Sequence, residues 1–138
     1  MSPTVVARKV AGIRARVARV KVLLPATVGE FVSHRTEAVA LILNLYLALQ
    51  ETSDLAMHVV VARALGVPGD ARAAFDALAK AGVCAGDLST RLAGAVGLRN
   101  RIAHQYGHLD LALVYEAARD DLGDLEAFAG AVAVLFNL

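Results

Sequence analysis

Arg99, Asn100, His104 and Tyr106 place a guanidinium, an amide, an imidazole and a phenol within eight residues of a chain otherwise dominated by Ala, Val and Leu. Side chains of these types near one helix face suit a phosphodiester. Arg99 would bind the charge, Asn100 would orient, and His104 would move protons. A plainer reading stands beside this one. A histidine late in a helix also serves as a partner of the helix dipole, and an arginine also serves as an ordinary surface residue.

Helical spacing decides where these groups point. If residues 87–105 form one helix, each step turns about 100° around its axis. Leu88, Leu92, Ala95, Leu98 and Ile102 then share a broad apolar face. Arg99 falls inside that arc, where a guanidinium must be paired or reach an anion. Asn100 and His104, four apart, share one flank with Ala93 and Gly97, so a second helix or a second chain could approach closely there.

The segment Arg99-Asn100-Arg101-Ile102-Ala103-His104-Gln105-Tyr106 resembles the R-x4-H-x-Y motif, with Asn after the Arg, of HEPN-domain proteins of the HepT toxin type. The likeness extends to a long apolar helix carrying Asp54-Leu55-Ala56-Met57-His58 and to Phe75-Asp76-Ala77-Leu78-Ala79-Lys80-Ala81-Gly82-Val83. The residue before the arginine, often Phe in that family, is Leu98 here, and the basic first 25 residues are least like the family. The resemblance implies an all-α homodimer and a metal-independent ribonuclease without cofactors, the toxin of a type VII pair. It also implies a nucleotidyltransferase antitoxin of the MntA type that adenylylates the motif tyrosine, here Tyr106. Among such relatives a polar pair at the place of Asp54 and His58 tends to lie near the cleft. The two are four residues apart and would either pair with each other or support the site, and Asp54 is the first candidate to hold Arg99.

The surrounding elements are legible from pattern. Val5, Val6, Val10, Ile13, Val17 and Val20 recur at near-helical spacing between basic residues, which predicts an amphipathic basic helix within residues 1–25, ending before Pro25. Thr27-Val28-Gly29-Glu30 has capping-box spacing and opens a short helical turn. From about Arg35 to Leu65 no breaker occurs, and Ala38–Leu49 is apolar nearly all round apart from Asn44. That marks a helix buried on several sides, more easily so if a second subunit covers one of them. Gly66-Val67-Pro68-Gly69 is a stop, Asp70 caps a helix over Ala71–Ala81, and Gly82 closes it. Asp87 is expected to cap the motif helix, Gly107 to end it, and Asp110 to cap a last helix from Leu111 towards Leu138 that Gly123 or Gly130 could bend. Without strand alternation, repeat or linker, the expectation is one all-α, HEPN-like domain over residues 1–138, a bundle of about five helices.

Composition bounds the rest. Apolar residues make up 57% and charged residues 20% of the 138 positions, and the mean hydropathy is +0.55. This is rich for a soluble monomer and suggests a surface hidden by association. The net charge of +1 offers no global attraction for nucleic acid. The charge is unevenly spread: Arg8, Lys9, Arg14, Arg16, Arg19 and Lys21 precede residue 25 with no acid, whereas residues 109–138 hold six acids and the single Arg119. That asymmetry could orient two chains, bind RNA, or pair the first and last helices. Cys84 is alone, which makes a reducing cytoplasm the simpler location and excludes an internal disulfide. The apolar runs fall short of the ~20 residues needed to span a bilayer, so no membrane partner is expected. His104 and His108 have the spacing of two zinc ligands, but Gly107 interrupts them and no third ligand is evident, so no metal is expected.

The resemblance implies RNA as the substrate, with tRNA favoured. A non-catalytic helical dimer that binds nucleotide or RNA for a nucleotidyltransferase would use the same residues as ligand contacts. A helical oligomerisation protein would use them as a buried polar staple.

Overall fold

A computed structural model describes residues 3–138, with side chains from residue 4 onward, so the first residues of the predicted basic helix lie outside it. Among the described residues the chain is all-helical: α1 (Pro3–Leu23), α2 (Val28–Ser33), α3 (Arg35–Ala62), α4 (Ala71–Lys80), α5 (Gly86–His104), α6 (Leu111–Asp120) and α7 (Leu122–Leu135), with a 3-10 turn at Tyr106–His108. The expectation of about five helices is corrected to seven. The predicted last helix breaks at Asp121, where Asp120, Asp121 and Asp124 crowd like charges in residues of poor helix propensity. The break lies just ahead of Gly123, one of the positions expected to bend that helix.

α1 and α3 form an antiparallel pair. Arg16 Nη1 donates to Asn44 Oδ1 at 3.3 Å, Arg16 also faces Glu51, and Lys9 lies close enough to perturb His58 further along α3. Val6, Val10, Ile13, Val17 and Val20 form the buried stripe of α1, as their spacing predicts. The opposed charges of the two chain ends meet in part: Lys21 Nζ lies 2.7 Å from Glu126 Oε1, which ties α1 to α7. α4 is pinned by Phe75, whose ring packs edge-on against Phe128 of α7 at 5.4 Å. Tyr115 of α6 stacks near Phe31 of α2 and donates its hydroxyl to the Pro25 carbonyl at 2.8 Å.

The predicted caps at Thr27, Asp70 and Asp110 each accept a backbone N–H from the first turn of their helices. The motif helix differs at both ends. Its N-cap is Ala85, and Asp87 lies inside the first turn, where its carboxylate is held low by the Leu88 N–H and by Arg91. Its last residue is His104, so Tyr106 and Gly107 belong to the following 3-10 turn. α3 also stops earlier than Leu65, because Ala64 takes a left-handed φ of 55° and the Leu65 N–H returns to the Val60 carbonyl.

α3 is not covered all round. Leu41, Ile42, Leu45, Ala48 and Leu49 are buried, but Val39 and Leu43 are exposed. Val39, Leu43, Tyr46 and Gln50 follow one another at i, i+4, i+7 and i+11, a single stripe along the helix. Its apolar part borders Ile102, Ala103 and Tyr106, the end of the motif helix.

Candidate active site at the end of the motif helix

Arg99 projects from the inner side of α5, as its place in the apolar arc requires, and it is half-buried. Its guanidinium crosses to α3, where Nη1 donates to Gln50 Oε1 at 2.6 Å. Gln50 Nε2 in turn donates to Asp54 Oδ1 at 2.9 Å. The amide has only one consistent orientation, since a guanidinium donates only and a carboxylate accepts only. Asp54 therefore supports Arg99 through Gln50 and not by direct contact. A neutral amide separates cation from anion, which leaves the positive field of Arg99 available to a third group. Nη2 donates to Asn100 Oδ1 at 2.6 Å, so the NH2 of Asn100 faces away as a free pair of donors. Arg99 Nε is buried with no acceptor among the described residues.

Asn100 and His104 lie on the exposed flank of the last two turns of α5. His104 is the final helical residue. Tyr106 is 52% exposed and, with Val39, Ile42, Leu43, Tyr46, Ile102 and Ala103, lines a shallow hollow of about 390 Å³. Cation, amide donor, imidazole and accessible phenol thus occupy one end of α5.

His58 is not part of this group. Asp54 turns to Gln50, and no hydrogen bond joins it to His58. His58 instead faces α1, with Nε2 buried and unpartnered among the described residues. Burial, and then the charge of Lys9, hold its imidazole below the usual histidine range. The expected Asp54–His58 pair is corrected: Asp54 is engaged by Gln50, one turn earlier on α3, while the charge that reaches His58 is that of Lys9 on α1. Among the described residues no three His, Cys, Asp or Glu side chains converge as metal ligands, and no helix is long and apolar enough to cross a membrane. Cys84 is buried, which pushes its thiol up.

Gln50 is the residue that spacing could have found and did not. It precedes Asp54 by four positions, the separation at which a Gln and an Asp hydrogen-bond along a helix.

Residues 13–132 match the family described as ribonuclease HepT-like. The chain is 35% identical over 89 residues to the mRNA nuclease HepT of Shewanella oneidensis, an overlap of 64% of this chain and 67% of that protein. Among solved structures it resembles a tri-AMPylated Shewanella oneidensis HEPN toxin in complex with an MNT antitoxin (28% identity, TM-score 0.86, 97% of this chain and 99% of that one). It also resembles a toxin–antitoxin structure with AMP-PNP (27% identity, TM-score 0.86, 95% and 98% covered). With its motif helix, its all-α architecture and a family match spanning most of its length, the chain belongs to the HepT-like ribonuclease family.

Proposed function

We propose that this chain is the toxin of a type VII pair of the HepT/MntA kind, a metal-independent endoribonuclease neutralised by adenylylation of Tyr106. The observation that carries the reading is the Arg99–Gln50–Asp54 chain. It holds a guanidinium at the same helix end as Asn100 and His104 without cancelling its charge. His104 takes the proton of a ribose 2′-hydroxyl, or protonates the leaving 5′-oxygen. The 2′-oxygen bonds to phosphorus, the bond to the 5′-oxygen breaks, and the products are a 2′,3′-cyclic phosphate and a 5′-hydroxyl. Arg99 stabilises the charge that accumulates on the phosphoryl oxygens, and the outward NH2 of Asn100 positions the phosphate.

The stripe Val39, Leu43 and Tyr46 supports a homodimer. It is apolar, partly exposed and continuous with Gln50, so a second copy seated there would bring two sets of motif residues to one cleft. Tyr106 lies at the rim of that cleft, where an added AMP places bulk and negative charge in the path of RNA. The relatives in complex with MNT and MntA antitoxins support the same kind of partner here.

The test is purified protein in EDTA against total tRNA and an mRNA transcript, wild type beside His104→Ala, on a denaturing gel. Both RNAs are needed because the curated relative is named for mRNA whereas tRNA is the expected substrate here. Cutting by wild type alone is expected, with His104→Ala lower by roughly 10²–10⁴-fold. Equal cutting by both removes His104 from the chemistry. No cutting by folded, unmodified wild type leaves a non-catalytic binding module.

A further inference from the structure

Gly97 of α5 has a pair of arginines above it. A Cβ placed on Gly97 would lie 3.6 Å from Arg72 Nη2 and 3.9 Å from Arg101 Nη2. The two cationic ends, one from α4 and one from α5, are therefore at most about 7.5 Å apart. Both side chains are exposed, and among the described residues neither forms an ion pair. The acids beside Arg72 in sequence are engaged elsewhere: Asp70, the N-cap of α4, accepts the Ala73 N–H, and Asp76 pairs with Lys80. Two acids lie across the groove that Arg101 lines: Asp124 is held by Arg91, and Asp121 is not within ion-pair distance of Arg101. Two like charges that converge with no counter-charge are unfavourable in the free chain and become favourable around an anion. Two oxygens of one phosphate would bridge this gap with a charge-assisted hydrogen bond to each arginine, and the missing side chain of Gly97 leaves the floor open.

We propose that Arg72 and Arg101 form a phosphate subsite over Gly97 that grips the RNA backbone away from the cleaved bond. The assignment to RNA rests on the ribonuclease reading above. Gly97, Arg101 and His104 follow at i, i+4 and i+7 on the solvent side of α5, so the subsite and the imidazole share one stripe. They are separated by about 10 Å along the axis, a span that a short stretch of strand covers. The subsite thus sets the register of the strand on the site, whereas a free nucleotide bound there would be too short to reach His104 with a scissile bond.

The experiment measures the affinity of a fluorescently labelled single-stranded RNA for the full chain carrying His104→Ala, across a salt series, with ATP as competitor. Arg72→Ala and Arg101→Ala are each expected to weaken binding roughly tenfold. The double variant should fall short of the product of the two, because both arginines hold one phosphate. The slope of log affinity against log salt should drop by about 0.7. Gly97→Glu, which sets a carboxylate between the two cations, should weaken binding more than the neutral Gly97→Gln. Unchanged RNA affinity and salt slope in the double variant would overturn the subsite while leaving the ribonuclease reading intact. An equal loss in Arg14→Ala, on the basic face of α1, would reduce the effect to net charge and overturn it too. A loss confined to ATP competition would hand the site to free nucleotides. Absence of RNA binding here, together with no cutting by folded wild type, would overturn both readings.

Discussion

Arg99 and Gln50 meet at 2.6 Å across the α3–α5 interface, and Gln50 passes the contact on to Asp54. Gln50 is thereby a positioning residue: it touches no substrate in the proposed reaction, yet it aims the guanidinium. Hydrogen bonds to charged groups contribute about 1.5–3 kcal/mol, so Gln50→Ala should lower RNA cleavage by roughly 10–100-fold. The loss should fall on kcat more than on KM, because Arg99 acts most on the charge that builds up in the transition state. Gln50→Glu should not rescue it, since a carboxylate against Arg99 forms the direct ion pair that the native amide avoids. A Gln50→Ala protein with wild-type kcat would show that Arg99 needs no aiming.

Tyr106 begins the 3-10 turn after α5 and is half out in solvent. Incubation with ATP, Mg²⁺ and a partner nucleotidyltransferase should add AMP to the intact protein, with the modified peptide containing Tyr106. Tyr106→Phe should abolish the adduct, keep the fold, and leave cleavage insensitive to the partner and ATP. Mass spectrometry that finds the adduct on another residue, or on the Tyr106→Phe protein, would remove Tyr106 as the switch.

The all-α class, the caps at Thr27, Asp70 and Asp110 and the inward face of the motif helix were legible because each rests on local spacing or on one side-chain contact with its own backbone. Arg99 in an apolar arc already demanded a partner, and the arc itself did not say which. Gln50 lies 49 residues away in sequence, so only the packing of α3 on α5 selects it over Asp54. Spacing placed Asp54 and His58 one turn apart but could not show that Gln50, one turn the other way, claims Asp54. The break at Asp121 escaped because the buried series Val114, Ala118, Leu122, Leu125 and Ala129 keeps helical rhythm straight through it.

The two left-handed helix ends invite a paired test. α3 closes through Ala64, at φ 55°, whereas α4 closes through Gly82, at φ 78°. A residue with a Cβ costs roughly 1–2 kcal/mol in that conformation, offset in part by the greater freedom that glycine loses on folding. Ala64→Gly should therefore stabilise the chain by about 0.5–1 kcal/mol, and Gly82→Ala should destabilise it by a similar amount. Urea denaturation reads both. A loss of stability in Ala64→Gly would mean that the Ala64 methyl makes contacts worth more than the strain.

His58 gives the fold a pH dependence of definite sign. Burial and the charge of Lys9 hold its folded imidazole below the usual range, while the unfolded group titrates near about 6.5. Between those two values the unfolded chain binds the proton and the folded chain does not, so stability falls as pH drops through the window and levels off below the folded value. The contribution is fully present above about 6.5. Asp121 runs the other way: burial, then Asp124, Asp120 and Glu116, raise its carboxyl, so its contribution grows as pH falls through the carboxylate range. The two are separable because they act in opposite directions and only one is removed in His58→Leu. Urea midpoints of wild type and His58→Leu at pH 7.5 and 5.5 isolate the histidine. Wild type should lose stability over this interval and His58→Leu should lose distinctly less. Parallel losses would place the acid sensitivity in another group and show that the unpartnered Nε2 of His58 meets solvent as readily in the folded chain as in the unfolded one.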